Sequence, residues 1–316
     1  MDKSIVPPAT LAEALRYFAD PDTCLAFMVA IRWPSGEIVC PRCGKAEPSF
    51  IESRRIWQCG RAHDKRQFSI KTGTIFEDSA LGMEKWLPAV WMLVNDKNGI
   101  SSYELARALG VTQKTAWFML QRIRLAMQSG SLDKLRGRVE GDKTFIGGNV
   151  RNMHKRKRER VMQERGGGQY SKAIIMSLLE PGGRVRAKAV GDVTRATLQG
   201  IVRANVKPGS EVITDAAPAY STLSAGFIHN FINHLEPDVR GHVHTNGIEN
   251  FWSLLKRALK GYVKVEPFHL HRYVDEQAFR YNERTDTDAG RFVKALRSIV
   301  GRRLTYRALT IGQAPA

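Results

Sequence analysis

The sequence lacks any apolar run near the roughly 18 residues that a membrane-spanning helix requires. Its longest apolar stretches, Leu87 to Val94 and Ala173 to Leu179, reach less than half of that, so no membrane association is expected. The first residues, MDKSIVPPAT, lack the apolar core of a signal peptide. Cysteine is scarce at four in 316 residues, three of them clustered, which argues against a disulfide framework. Acidic residues are in deficit: 31 Asp and Glu stand against 49 Lys and Arg, giving a net charge of +18. What is present in ordinary amount is apolar content, 43%, which excludes wholesale disorder and allows two or three packed domains. A basic, non-exported chain of this kind meets a polyanion, and the expected address is cytoplasmic and nucleoid-associated.

The positive excess is uneven. Residues 1–80 carry a net +1, whereas 138–262 carry twenty basic against eleven acidic residues, a net +9. A nucleic-acid footprint is therefore expected to involve the middle and C-terminal portions as well as the N-terminal one.

Three cysteines have metal-ligand spacing. Cys40-Pro41-Arg42-Cys43-Gly44 is a knuckle that turns two thiolates toward one cation, and Cys59 follows after fifteen residues. A second Cys-x-x-Cys would place cysteine at 62, where the chain has Ala62; the nearest substitute is His63. Cys40, Cys43, Cys59 and His63 would make a closed Zn2+ site, the alternative being a ribbon held without metal by Trp57, Phe68 and Ile70. Cys24 falls in a helical pattern and is expected to be a buried apolar residue.

Residues 99–127 read as a helix-turn-helix. Ser101 and Glu104 have capping-box spacing, Gly110 supplies the left-handed turn, and a second helix runs from about Thr112. Its Ala116, Leu120, Ile123 and Met127 form the expected core face. Lys114, Trp117, Gln121 and Arg124 on the other side have the chemistry of a helix in a DNA groove. A plain helical hairpin with a solvated face is the competing reading. Met83 to Val94 is the expected packing partner.

From Arg138 the pattern changes to strands at Val139 to Ile146, Ala173 to Leu179, Val185 to Val190 and Glu211 to Asp215, with a helix from Arg195 to Val206 before the last. That order predicts an α/β, RNase H-like mixed sheet. Asp142 falls inside the first strand, where a carboxylate is costly unless paired or bound to a cation, and Asp215 ends the fourth. Solvent exposure for Asp142 and a turn-capping role for Asp215 are the structural alternatives. Between the first two strands, HKRKRER (His154 to Arg160) has five Lys or Arg in seven residues and is expected to be an exposed loop gripping phosphates through Lys155, Arg156, Lys157 and Arg158. The stretch from His242 to Arg257 reads as a capped helix ending near Gly261, with Ile248, Trp252, Leu255 and Leu259 on its buried stripe and Glu249, Ser253, Lys256 and Lys260 on another. An acid and an ammonium two turns apart could there face one substrate; a solvated stripe of ion pairs is the alternative.

The segments VEGDKTFIGG (Val139 to Gly148), VITDAAPAY (Val212 to Tyr220), HTNGIENFWSLLKR (His244 to Arg257) and HLHRYVDEQAFRYNER (His269 to Arg284), with CPRCG and FSIKTGTIFEDSALGMEKW before them, resemble the zinc-ribbon, ISXO-like group of insertion-sequence transposases in the DDE superfamily. The resemblance covers roughly residues 10–290. It implies that Asp142 and Asp215 are the first two catalytic acids, that Glu249 is the third, with Asn246 as the other candidate, and that Lys256 and the adjoining Arg257 meet DNA. It departs from the group at Ala62, in the ribbon, and at Lys143, where the group has an acid; strand alternation would turn Lys143 away from Asp142.

The implied activity is metal-dependent DNA cleavage and strand transfer. Two Mg2+ or Mn2+ ions on hard carboxylate oxygens serve such in-line displacements. The implied partners are the double-stranded ends of the element and target DNA, with a homo-oligomer in the active complex. A catalytically inactive DNA-binding regulator and a nuclease or resolvase on the same fold are the alternatives. The expected division is a helical segment at 1–35, a zinc ribbon at 36–80, a helix-turn-helix domain at 81–137, a catalytic domain at 138–290 and a tail at 291–316.

Overall fold

In a computed structural model, residues 6–128, 133–147, 153–165, 172–232, 246–262 and 265–310 are described, leaving aside the side chains of 157, 161, 164 and 165. In chain order the elements are α1 (Leu11–Tyr17), α2 (Pro21–Arg32), β1 (Ser49–Ile51), β2 (Ile56–Gln58), β3 (Gln67–Phe68), α3 (Met83–Asn95), α4 (Ser102–Leu109), α5 (Gln113–Met127), β4 (Arg138–Ile146), α6 (Lys155–Arg165), β5 (Ala173–Leu179), β6 (Val185–Val190), α7 (Arg195–Asn205), β7 (Glu211–Asp215), β8 (Ile228–Ile232), α8 (Asn246–Gly261), α9 (Leu270–Asn282), α10 (Asp288–Arg297) and α11 (Tyr306–Thr310). They form two compact units, one of residues 1–128 with 285–316 and one of 129–284. Among the described residues no helix is long and apolar enough to cross a membrane.

The first unit packs α1, α2, α5 and α10 on α3 and includes a small antiparallel sheet, β1-β2-β3, in which Trp57 pairs with both Phe50 and Phe68. Local sequence sets its helix ends. Asp20 caps α2 by accepting from the Thr23 amide at 2.7 Å, with Pro21 in the first turn, where its missing N–H costs nothing. Ser101 and Glu104 close the predicted capping box on α4, and Gly110 takes a φ of 63° before α5. The division at 290 and the tail at 291–316 are corrected here. α10 starts at Asp288 and inserts Phe292 among N-terminal aromatics, 5.7 Å from Phe18, 5.9 Å from Phe27 and 5.1 Å from Trp91 between ring centroids. Burial of that apolar face ties the C-terminal segment to the N-terminal unit. Cys24 is buried as expected, and burial pushes its thiol up to about 12.

The second unit is a five-stranded mixed sheet in the order β6-β5-β4-β7-β8. β5 runs antiparallel to β4 and β6, whereas β7 is parallel to both β4 and β8. One face packs Met176, Leu178 and Val212 against Leu198 and Val202 of α7; the other packs Ile175 and Leu179 against Ile248, Phe251 and Leu255 of α8 and Leu270 and Val274 of α9. β5 is thus covered on both sides, which is why AIIMSLL reads as a continuous apolar run with period-two side-chain alternation hidden in it. The mixed α/β expectation holds. β8 was not anticipated: it is an edge strand whose Ile228 and Phe231 are exposed, so it has no strong buried alternation.

HKRKRER is corrected from loop to helix, since α6 begins at Lys155. Lys, Arg, Glu, Gln and Met all have high intrinsic helix propensity, which the density of charge concealed.

Candidate functional site

The first cluster is built from two knuckles. The Gly44 amide donates to the Cys40 carbonyl at 2.9 Å and the Cys40 amide to the Lys45 carbonyl at 2.8 Å, a turn that needs the positive φ of 72° at Gly44. The second knuckle closes between Cys59 and Arg66, whose amide–carbonyl bond is 3.0 Å. Together they bring one ligand atom each from Cys40, Cys43, Cys59 and His63 within 4.8 Å of one another. Cys43 Sγ lies 3.5 Å from Cys59 Sγ, and Cys40 Sγ lies 3.6 Å from His63 Nε2. Ligands about 2.3 Å from a tetrahedral Zn2+ stand about 3.8 Å apart, so the donor set fits that ion. The outer shell fits as well. His63 Nδ1 is 2.7 Å from the Asp64 carbonyl oxygen, which fixes a proton on Nδ1 and leaves Nε2 free to ligate. The Lys45 amide holds the Cys43 thiol below its ordinary value, while burial pushes that of Cys59 up.

The helix-turn-helix needs a correction. On α5 Lys114 is exposed, with its ammonium 5.0 Å from the Tyr306 ring centroid, and Trp117 is half-buried. Gln121 and Arg124 are instead 0% and 1% exposed. The C-terminal half of α5 is enclosed on all sides, since Met119, Leu120, Arg122, Ile123, Ala126 and Met127 are buried too. These two polar residues are interior groups, not surface groups available to a groove. Helical periodicity distinguishes faces but not whether a second layer covers the polar one.

In the second unit, the parallel register of β4 and β7 pairs Val139 with Val212 and Glu140 with Ile213. Continued two residues, it sets Asp142 opposite Asp215, at the carboxyl end of β7. Asp142 is largely enclosed. Burial pushes its carboxyl above the usual carboxylate range, and the Asp215 charge adds to that shift against hydrogen bonds that oppose it. Its Oδ1 accepts from the Lys143 amide at 2.7 Å and its Oδ2 from Trp252 Nε1 at 2.8 Å. Asp215 Oδ1 accepts a long bond of 3.4 Å from the Ala217 amide, so part of the anticipated turn-capping role is present. Its Oδ2 receives the Lys143 ammonium at 2.6 Å. The expectation that alternation keeps Lys143 out of the acid site is therefore corrected: Lys143 lies away from Asp142 along β4, but Asp215 is the last residue of β7 and the lysine stem reaches it.

α8 is pinned to this sheet at two points. Trp252 bonds Asp142, and the wholly buried Glu140 accepts the Ile248 amide at 2.9 Å, taking up one of the free N–H groups of the helix's first turn. Close approach needs Gly247, where a Cβ would come within 2.9 Å of Glu140 Oε2 and of Leu179 Cδ2. Glu249 is exposed one turn before Trp252, with Asn246 exposed a further turn back; Lys256 and Arg257 are exposed beyond it. Asp142 and Asp215 are thus brought together, and Glu249 stands on the helix that Trp252 anchors to Asp142. Among the described residues the Cys/His set is the one group of three or more such ligands within 4.8 Å, so the three carboxylates are not gathered to that spacing. Oxygen donors alone, two of them facing each other at a strand end, have the chemistry for Mg2+ or Mn2+. On α6, Lys155 and Arg156 are exposed and Arg158 is half-buried, while the Lys157 side chain lies outside the described residues.

Sequence reasoning placed Trp252 only in a buried stripe and passed over Glu140. The available signal was position: Glu140 and Asp142 are two apart on one strand and so share the face that α8 covers.

A known protein family matches a segment of each unit. Residues 134–282, which include Asp142, Asp215 and Glu249, match the ISXO2-like transposase domain. Residues 19–64, which include all four Cys/His positions, match the transposase zinc-ribbon domain. The chain is 27% identical over 285 residues, 86% of its length and 93% of the relative's, to an uncharacterized protein in transposable element ISH50 of Halobacterium salinarum. It is 37% identical over 100 residues, 31% of its length and 81% of the relative's, to an uncharacterized transposase-like protein of Haemophilus influenzae. The chain belongs to the ISXO2-like transposases and carries their zinc-ribbon domain at its N-terminal end.

Proposed function

We propose that this protein binds the double-stranded ends of its insertion sequence and catalyses DNA strand cleavage and strand transfer. The observation that carries the reading is the approach of Asp215, at the end of β7, to Asp142, near enough for its charge to act on the Asp142 carboxyl, with Asp142 largely enclosed and held by Trp252 of the helix that bears Glu249. An enclosed carboxylate beside a second one is stabilised by a cation. Asp142, Asp215 and Glu249 would hold Mg2+ or Mn2+, with Asn246 as the other candidate for the third position. A pair of such ions stabilises charge on the attacking and leaving oxygens.

The protein's own groups orient the reaction. Asp142 and Asp215 would act on the scissile phosphate only through the cations they hold, and Lys256 and Arg257 on α8 offset its charge. Water frees a 3′-hydroxyl at the element's end, and that hydroxyl then attacks a target phosphodiester, with the displaced strand end taking up the proton. No protein nucleophile takes part. Lys114, Trp117, Lys155, Arg156 and Arg158 supply contacts to DNA, and a homo-oligomer brings two ends together. Zn2+ on Cys40, Cys43, Cys59 and His63 keeps the ribbon folded.

The contact of Lys143 with Asp215 favours a second reading, a regulator that binds DNA without cutting it. One assay separates them: strand transfer in Mg2+ with a labelled end duplex. Asp142→Ala, Asp215→Ala and Glu249→Gln are expected to lower cleavage on the order of a thousandfold or more while retaining DNA binding in a gel-shift measurement. Full activity in any of the three overturns its assignment, and an inactive wild type that binds end DNA supports the regulator.

A further inference from the structure

Lys143 is joined to both aspartates at once. Its backbone amide donates to Asp142 Oδ1 at 2.7 Å and its ammonium to Asp215 Oδ2 at 2.6 Å. The side chains of Lys143 and Asp215 are only 15% and 28% exposed, so the pair is poorly screened by water. The ammonium also stands 5.7 Å from the ring centroid of Tyr220, a buried residue of the α7-side core. The charged end of Lys143 is directed at a carboxylate that a divalent ion would use.

Two cations cannot share one carboxylate oxygen in a poorly solvated site without strong repulsion. For Asp215 to take a divalent ion, the ammonium has to leave, and a largely buried ammonium leaves readily only for another anion. The flexible four-carbon stem of lysine permits that exchange, whereas a guanidinium fork would tend to hold its carboxylate. The substrate brings such an anion, the phosphate that lies across the acid site during cleavage. We propose that Lys143 is a built-in cation that occupies Asp215 until a DNA phosphate draws its ammonium away, so that complete metal loading depends on DNA. This rests on the reading of Asp142 and Asp215 as metal ligands. It adds that one metal position forms only in the presence of substrate, which would restrain cleavage chemistry away from DNA.

The test is Mn2+ binding by the zinc-loaded full chain, with free Mn2+ followed by electron paramagnetic resonance, with and without a non-cleavable duplex carrying the element's end. Wild type is expected to bind one Mn2+ tightly without DNA and a second with about tenfold or greater gain in affinity when DNA is added. In Lys143→Met the second ion is expected to bind about tenfold or more tightly without DNA, and DNA then changes its affinity little. Lys143→Arg keeps a charge on Asp215, so weak second-ion binding without DNA is expected to persist, which guards against a Met variant that folds poorly. Two ions of equal affinity in the DNA-free wild type, or a Lys143→Met titration identical to wild type, overturns the proposal. Failure of the underlying reading looks different: Asp142→Ala and Asp215→Ala would then bind as much Mn2+ as wild type.

Discussion

The two candidate metal centres are built on opposite plans. The Cys/His cluster takes all its ligands from a 24-residue span, Cys40 to His63, and two knuckle turns deliver them to mutual contact. The proposed acid site would take Asp142, Asp215 and Glu249 from β4, β7 and α8, positions separated by 73 and 34 residues, so that tertiary packing has to bring them together. The first is closed by its own ligands, with a ring nitrogen of His63 already fixed by the Asp64 carbonyl. The second is open at a strand end and holds an internal cation, Lys143. A structural centre gains from completeness, because its binding energy is folding energy. A reactive centre needs vacancy for substrate, so its carboxylates have to be kept stable by something that can leave.

The largest effect that separates the two plans is metal withdrawal. Chelation of Zn2+, or Cys59→Ser, is expected to unfold the ribbon, because structural zinc sites draw on the order of 10 kcal/mol from the ion. Circular dichroism and amide exchange over residues 36–68 check this, and the strands of the second unit are expected to keep their protection. Withdrawal of Mg2+ is expected to leave both units folded. A ribbon that stays folded without zinc would return it to the metal-free alternative, held by Trp57, Phe68 and Ile70.

A smaller effect is expected at the anchor of α8. Glu140→Ala removes a wholly buried acceptor, leaves the Ile248 amide without its 2.9 Å partner and opens space beside Gly247. Loss of a buried hydrogen bond together with a cavity is expected to destabilise the second unit by about 3 kcal/mol, read by urea denaturation, with faster exchange at the first turn of α8. Glu140→Gln keeps an acceptor and is expected to cost less. Equal costs would mean that the second carboxylate oxygen, which both variants remove, carries the effect and the bond to the Ile248 amide does not.

How much of this was legible follows the same division. Local signals carried far: the Cys40–Cys43 knuckle, the Ser101–Glu104 capping box and the strands holding Asp142 and Asp215 all depend on residues close in sequence. What was lost depends on contacts across the chain. Gln121 and Arg124 look like a polar face until a second layer covers them, and α10 looks like part of a tail until Phe292 meets Phe27. Lys143 is the sharpest case. Alternation correctly turned it away from Asp142, but alternation has no knowledge of where the neighbouring strand ends.

The finest distinction between the two centres is how their ligands are oriented, and Trp252 tests it. In the ribbon the backbone does the orienting, through the Asp64 carbonyl on His63 and the Arg61 amide, 3.4 Å from Cys59 Sγ. In the acid site a side chain does it, since the Trp252 indole N–H holds Asp142 Oδ2 at 2.8 Å and ties the carboxylate to α8. Trp252→Phe keeps most of the aromatic packing against Phe251, 5.3 Å away between centroids, but removes that donor. Stability is expected to fall by about 1–2 kcal/mol, the cost of leaving one acceptor of a largely enclosed carboxylate unsatisfied. Metal-dependent cleavage is expected to fall further, by about tenfold, because a carboxylate free to rotate no longer holds its metal-facing oxygen in register with Asp215. The two losses differ in kind: raising the Mn2+ concentration should recover part of the cleavage, whereas the stability measured without the ion stays reduced. If cleavage instead falls only in proportion to the unfolded fraction, Trp252 is a core residue and the orientation of Asp142 comes from the sheet alone.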